Sequence, residues 1–262
     1  MASEGKAPYK APVPVLEPGC FAQTWERKYY RLGNVCIKRS LRPREFQTDI
    51  NGQLYIPRVG NERLINEAAA LRFVRELTDI PVPSLICDFR DDDSHYVIME
   101  WVEGVSMKDV PREKMPQVHA ELREHLRTLH ALKSRKLGGP TGIVIPPYRV
   151  SKVTTNDIWT LKDSAVEEYE FCHNDLSQQN VIVDPETFKI RAIIDWEYAG
   201  FFPGNFEKHI FLRTGHSDIM EGEVDDRLDL LKFLESQRIP HSPKSDGTRI
   251  VSGEGSKKCI EQ

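Results

Sequence analysis

Three oxygen-bearing side chains stand between Phe171 and Gly200 at a spacing that suits the handling of a phosphoryl group. Asp175 and Asn180 are five residues apart in a polar loop, and Asp195 closes a later apolar run. Transfer of a γ-phosphoryl group asks little covalent chemistry of a protein; the site has to aim a hydroxyl in line and neutralise phosphate charge with metal ions. An aspartate that accepts the hydrogen bond of the acceptor hydroxyl aims it and takes its proton, and Asp175 is the candidate for that base. Magnesium prefers hard oxygen ligands, keeps several waters and is held by one or two protein oxygens together with the phosphates. Asn180 and Asp195 are the candidate Mg2+ ligands.

Those residues need elements to position them. Val181 to Val183 and Ile190 to Ile194 are short apolar runs separated by Asp184-Pro185-Glu186-Thr187, a turn signal, and together they predict a hairpin. The hairpin would bring Asn180, just before its first strand, close to Asp195, just after its second. His173, two before Asp175, is read as a loop brace and not a proton carrier.

Taken together, His173-Asn-Asp175-Leu-Ser-Gln-Gln-Asn180-Val-Ile-Val and Ile193-Ile-Asp195-Trp-Glu197-Tyr-Ala-Gly200-Phe-Phe-Pro203 resemble the catalytic and metal loops of the aminoglycoside phosphotransferase family, within the protein-kinase-like superfamily. The fungal-type branch, with its HxDLxxxNxxV and IIDWExAGxxP phrases, is the closest match. Protein kinases carry an HRD loop and a DFG triplet instead. The resemblance runs from about Lys38 to Glu207. It implies an α+β, two-lobed protein-kinase-like fold, with a small N-terminal antiparallel-sheet lobe over residues 1–102 and a larger, mainly helical C-terminal lobe over 103–262.

The resemblance also implies roles upstream. Lys38 ends the apolar strand Asn34-Val-Cys-Ile and is similar to the strand lysine that contacts the α- and β-phosphates. Leu64, Ala68, Leu71, Val74 and Leu77 recur at helical spacing over 61–77, with Asn61 as the expected cap. Glu67 borders that stripe, where the family has a glutamate that pairs with the lysine. Ile80-Pro-Val-Pro83 stops the helix, because proline lacks an amide hydrogen and restricts the residue before it. The strand from His95 to Val102 runs into Glu103-Gly104, the expected hinge, where backbone groups of Glu100 to Val102 would hold adenine. Glu197 and Glu207 would bind a cationic substrate or brace the loop, and bracing is favoured. Two departures stand out: only Gly33 lies between Phe21 and Lys38, with no GxGxxG, and the stretch from Gly104 to Phe171 is short for substrate-binding helices.

Composition bounds the rest. At 262 residues and 39% hydrophobic content the chain is large enough for two lobes. No run approaches a membrane span, and the first thirty residues lack a secretory apolar core, so the expected location is the cytoplasm. The five cysteines form no paired or zinc spacing and are read as thiols, with Cys172 packed beside the loop. A net charge of -4 offers no basic field for nucleic acid. Asp91-Asp92-Asp93 reads as a hairpin tip. Residues 117 to 133 form a buried helix after Pro116, and its His119, His125 and His130 show no shared ligand spacing with a carboxylate partner and are read as surface or core histidines. Val224, Leu228, Leu231 and Leu234 mark another helix over 223–237, and the last twenty residues read as a mobile tail.

The function expected is an ATP-dependent phosphotransferase, ATP or another nucleoside triphosphate being the co-substrate, that modifies a hydroxyl of a small molecule with Mg2+. A nucleotide-binding scaffold without turnover is the alternative. Nothing in the pattern bears on acceptor identity or oligomeric state.

Overall fold

A computed structural model describes residues 16–215 and 217–239; the expected tail and Cys259 lie outside the described residues. A five-stranded antiparallel sheet comes first, ordered β1-β2-β3-β5-β4. Its strands are β1 (Cys20–Gln23), β2 (Arg27–Leu32), β3 (Val35–Ser40), β4 (Leu85–Asp91) and β5 (Ser94–Glu100). Asp92 and Asp93 make the β4–β5 turn with φ of 48° and 59°, a conformation that suits short polar side chains. β3 is central, and its register sets Lys38 between Tyr29 and Val97.

Helix α1 (Gly60–Leu77) lies between β3 and β4 in sequence and buries Leu64, Ala68, Leu71 and Val74 at the expected helical spacing. Two expectations are corrected here. Leu77 is exposed. Asn61 is not the cap: Val59 holds that position, and the Asn61 Oδ1 accepts hydrogen bonds from the Ser40 hydroxyl at 2.6 Å and the His95 N–H at 3.1 Å. A partner on the sheet has displaced the local capping bond. Asn66 and Glu67 are also fully buried, because α1 packs against the sheet and also against the Trp196–Tyr198 turn. An apolar stripe marks one buried face of a helix; a second, polar buried face leaves no such pattern.

After β5 the chain crosses Trp101–Gly104, where Gly104 has φ 153° and a Cβ would stand 2.7 Å from both Ile182 Cγ2 and the Val183 carbonyl oxygen. Only glycine allows that approach. The rest of the chain is built around α2 (Met115–His130), which buries Val118, Leu122, Leu126 and Leu129 and has Pro116 in its first turn. Two small sheets follow. In one, β6 (Val105–Ser106) pairs with β9 (Val181–Val183), which forms the expected hairpin with β10 (Ile190–Ile193). In the other, β8 (Tyr169–Cys172) lies between β7 (Lys133–Ser134) and β11 (Gly200–Phe202). The remaining helices are a single turn, α3 (Tyr148–Ser151), and α4 (Arg227–Ser236).

The stripe read for the last helix holds at Leu234, which is buried, and at Leu231, which is half-buried, and fails at its start. Val224 precedes α4 and Leu228 is exposed, whereas Leu230 and Leu234, one turn apart, are the buried pair. Leu230 and Leu234 pack with Trp159, Phe202 and Phe206 in a second apolar cluster, apart from the main core that joins α1 to α2. Among the described residues no helix is long and apolar enough to cross a membrane.

Candidate active site

Lys38 reaches from the middle of β3 to a cluster of carboxylates. Its Nζ stands 2.8 Å from Glu67 Oε2 on α1, 2.5 Å from Asp195 Oδ1 and 3.6 Å from Glu197 Oε2. Burial penalises the lysine charge, but Asp195, Glu197 and Glu67 outweigh it and hold the ammonium firmly protonated. Burial raises the Glu67 carboxyl above the ordinary carboxylate range, with Lys38 opposing the shift. Asp195 is the member open to the cleft, its side chain 30% exposed against 4% for Lys38 and 1% for Glu67.

The turn that presents Asp195 is unusual. Asp195 has φ 66°, in the left-handed region that aspartate tolerates better than most residues. Two contacts of His173 bound that turn. Its Nε2 meets the Ile194 carbonyl at 3.0 Å, and its ring lies 4.6 Å from the ring of Trp196, which is fully buried. Burial lowers the His173 pKa, so a neutral imidazole donating to the carbonyl is the consistent tautomer.

Glu207 holds the loop from the other side. Its carboxylate accepts the N–H groups of His173 at 2.5 Å and Asn174 at 3.1 Å. Asn174 has φ 66°, which accounts for an asparagine where the related phrase has glycine, since both enter the left-handed region. Its Nδ2 donates to the Tyr198 carbonyl at 3.0 Å. Asp175 follows, and burial pushes its carboxyl up to about 8, with the Asp195 charge adding to the effect. The Asn180 Nδ2 donates to the Asp175 carbonyl at 2.7 Å and to its Oδ2 at 3.3 Å. The Ile194 N–H in turn donates to the Asn180 carbonyl at 2.9 Å, so the hairpin sets Asn180 beside Asp195.

This donor set fits a divalent cation. Glu67, Asp195 and Glu197 offer oxygens within 4.8 Å of one another. Asp195 keeps one oxygen beyond its bond to Lys38, and Asn180 keeps its amide oxygen while its NH2 serves Asp175. Hard oxygens with surplus negative charge are what magnesium takes.

Above this cluster is a cleft of about 330 Å³, with Cys36, Met99, Val102 and Ile182 on its walls and Lys38 and Asp195 at one end. Glu100, Trp101 and Val102 are not equivalent. The Glu100 N–H donates to Ser84 O at 2.9 Å and the Trp101 N–H to Asn34 O at 2.8 Å. The Glu100 carboxylate is held by the Ser84 N–H and hydroxyl. Among the described residues the Val102 N–H has no acceptor.

Sequence reasoning missed an arginine pair. Gly33 lies in the β2–β3 turn, at the far end of β2 from the β1–β2 turn, which runs Thr24-Trp25-Glu26 without glycine. The Thr24 hydroxyl accepts the N–H groups of Glu26 at 3.2 Å and Arg27 at 3.0 Å, closing the turn on itself. Arg27 then enters the interior and meets Glu197 Oε2 at 2.9 Å. Arg63, from the first turns of α1, meets Glu26 at 2.5 Å, the Tyr198 hydroxyl at 2.5 Å and Glu197 at 3.4 Å. His130 has carboxylates near it in space: Nδ1 lies 3.9 Å from Glu170 and Nε2 3.9 Å from Glu207.

A family model described as choline/ethanolamine kinase matches residues 88–217. An aminoglycoside 3'-phosphotransferase of Streptomyces ribosidificus is 29% identical over 138 residues, covering 44% of this chain and 52% of that protein. The chain therefore spans about half the length of the curated relative it matches. Among solved structures, an aminoglycoside-3'-phosphotransferase of type VIII overlays with a TM-score of 0.46 at 22% identity, over 71% of this chain and 74% of that one. The aminoglycoside phosphotransferase APH(3'')-Id from Streptomyces rimosus gives 0.46 at 16% identity, over 67% and 69%. Neither sequence match separates a fungal-type branch from the rest. The chain is thus similar in sequence to the choline/ethanolamine kinase model and to an aminoglycoside phosphotransferase, and the Asp175-to-Asn180 loop and the Asp195 turn lie within the stretch that the family model matches.

Proposed function

We propose that the chain is an ATP-dependent phosphotransferase acting on a hydroxyl of a small molecule, with residues 1–102 as its nucleotide-binding lobe and 103–262 as its catalytic lobe. The observation that carries this is the pairing of Lys38 with both Glu67 and Asp195 at the end of the cleft, with Asn180 and Asp175 alongside. Nucleotide would lie with its base on Met99 and Ile182, its edge against the Val102 N–H and the Glu100 carbonyl, and its phosphates toward Lys38. Glu67 fixes the direction of that lysine. Asn180 and Asp195 would hold magnesium, which supplies charge neutralisation of the phosphates.

Asp175 accepts the hydrogen bond of the acceptor hydroxyl. As the acceptor oxygen bonds to the γ-phosphorus, the bond from that phosphorus to the β-bridging oxygen breaks, ADP departs and the hydroxyl proton passes to Asp175. Glu197 and Glu207 brace: one is tied up by arginines, the other by loop amides.

The glycine-free β1–β2 turn favours a second reading, a nucleotide-binding scaffold with little turnover. One experiment separates the two. A thermal shift with MgATP that is lost in Asp195→Ala supports nucleotide binding, because a ligand of the folded state raises apparent stability. ATP consumption with a panel of hydroxyl acceptors then distinguishes enzyme from scaffold, and absence of any magnesium-dependent shift in the native protein excludes both.

A further inference from the structure

Beside the loop that carries Asp175, three side chains able to ligate a soft metal come together from separate elements. His130 closes α2, Cys172 ends β8 directly before His173, and Glu207 follows the Gly204–Phe206 turn. A His130 ring nitrogen, the Cys172 sulfur and a Glu207 carboxylate oxygen all lie within 4.8 Å of one another. Cys172 and Glu207 are buried, whereas His130 keeps 23% of its side chain exposed, which leaves a way in.

Hydrogen bonding does not account for the histidine. Its Nε2 is buried and has no hydrogen-bond partner among the described residues. Glu207 Oε2 stands 3.9 Å away, too far for a hydrogen bond. Around a tetrahedral zinc, nitrogen and oxygen ligands stand about 3.4 Å apart and sulfur about 3.6 Å from either. His130 and Glu207 therefore need to close by about half an ångström, a small turn of the half-buried imidazole.

The surroundings fit the same ion. A carboxylate has about four acceptor positions, and the N–H groups of His173 and Asn174 occupy only part of those on Glu207. A metal-bound histidine ordinarily turns its other ring N–H to a carboxylate, and Glu170 Oε2 stands 3.9 Å from His130 Nδ1. Softness separates this set from the other one. Thiolate and imidazole suit zinc, whereas Glu67, Asp195 and Glu197 offer oxygen alone, which suits magnesium.

We infer that His130, Cys172 and Glu207 bind a zinc ion, with water as the fourth ligand, next to the loop that carries Asp175. On binding, the Cys172 thiol gives its proton to solvent, the sulfur and the imidazole lend lone pairs to the ion, and Glu207 keeps its charge. Burial, with Glu207 and Glu170 adding to it, holds Cys172 as a thiol until the ion arrives. Thiolate and carboxylate then cancel the two charges of zinc, so the filled site is neutral, as its burial requires. The ion joins the end of α2 to the strand that enters the loop and to the carboxylate that braces it. None of this depends on the phosphotransferase reading.

Cobalt(II) reports such a site in the full chain, because a thiolate on cobalt gives a charge-transfer band in the near ultraviolet and zinc displaces the cobalt. Excess magnesium is kept present to fill the oxygen set. The band should saturate at about one cobalt per chain and vanish in Cys172→Ser, while Cys87→Ser, which removes an exposed thiol of β4, should retain it. Calorimetry should show zinc affinity falling about tenfold in Glu170→Gln, the outer partner, and further in His130→Gln. Should Cys172→Ser fail to fold, His130→Gln decides, because its site is half-buried at a helix end. Absence of the band in the native protein, its survival in Cys172→Ser, or unchanged zinc affinity in His130→Gln would each overturn the inference.

Discussion

Arg27, at the start of β2, and Glu197, two residues after Asp195, meet at 2.9 Å across 170 positions of chain, with the arginine side chain 3% exposed. The pair ties the sheet to the turn that follows Asp195, and Arg63 and Lys38 approach the same carboxylate. A carboxylate buried among three cations is held well below its ordinary pKa despite the burial that opposes ionisation.

Removing one partner of such a pair leaves a buried charge unmatched. Arg27→Met should lower stability by about 3 kcal/mol, the lower end of the range for broken buried pairs because Arg63 and Lys38 remain. Urea denaturation measures it, and adding Glu197→Gln in the same chain should not restore stability, since Arg63 and Lys38 then lose the same partner. A loss under about 0.5 kcal/mol for Arg27→Met would show the pair to be energetically idle.

Among the described residues Lys38 is the one cation paired with Glu67, so its loss has a pH signature. Lys38→Met should cost about 3 to 5 kcal/mol at neutral pH, leaving Glu67, Asp195 and Glu197 together without it. Glu67 already lies above the ordinary carboxylate range, so its folded state binds a proton more tightly than its unfolded state and the variant should regain stability as pH falls toward 5. Thermal melts from pH 8 to pH 5 on native and variant proteins test this; parallel curves would contradict it.

Much of this site was readable as local text. Asp175, Asn180 and Asp195 lie within one hairpin and its flanks, where spacing along the chain determines spacing in the fold. Lys38 and Glu67 were readable because a strand end and a helix stripe give each a position, although the chain between them is long. Arg27, Glu26 and Arg63 were not. Their partners lie 37 to 170 residues away, and a buried arginine has the same letter as a solvated one. His130 was missed for the same reason, since Glu207 reaches it through the tertiary fold. The misplaced cap at Asn61 and the misplaced stripe near Leu228 have a shared cause: tertiary partners, Ser40 and His95 in one case and the Trp159 cluster in the other, overrode a local preference.

Gly104 is a backbone requirement and offers a separable test. Gly104→Ala adds a methyl 2.7 Å from Ile182 Cγ2 and the Val183 oxygen at a φ of 153°, so it should cost about 1 to 3 kcal/mol and weaken nucleotide binding, because Ile182 forms one wall of the cleft. Gly142→Ala, where nothing lies within 4 Å of the added carbon at φ 81°, is the control for backbone strain alone. Equal destabilisation of the two would show that crowding at Gly104 contributes nothing.

Asp175 links the proposed chemistry to stability most directly. Its carboxyl is pushed up to about 8, chiefly by burial, against about 3.9 in an unfolded chain. The folded protein therefore binds that proton more tightly than the unfolded one between pH 4 and 8. Stability is lost as pH rises through that window and is level above it. Asp175→Asn keeps the shape and removes the charge. It should melt with the native protein near pH 4 and be more stable by about 1 to 3 kcal/mol at pH 8.5, the full shift being discounted for relaxation and water entry. Turnover should vanish while the MgATP thermal shift survives, because the base touches the acceptor and not the nucleotide. Magnesium and nucleotide should change the comparison in one direction: a cation beside Asp195 lowers the Asp175 pKa, so the stability gap at pH 8.5 should narrow when MgATP is present. A gap that is absent without ligand, or a loss of nucleotide binding in Asp175→Asn, would mean that this carboxyl is neither strained by burial nor the base.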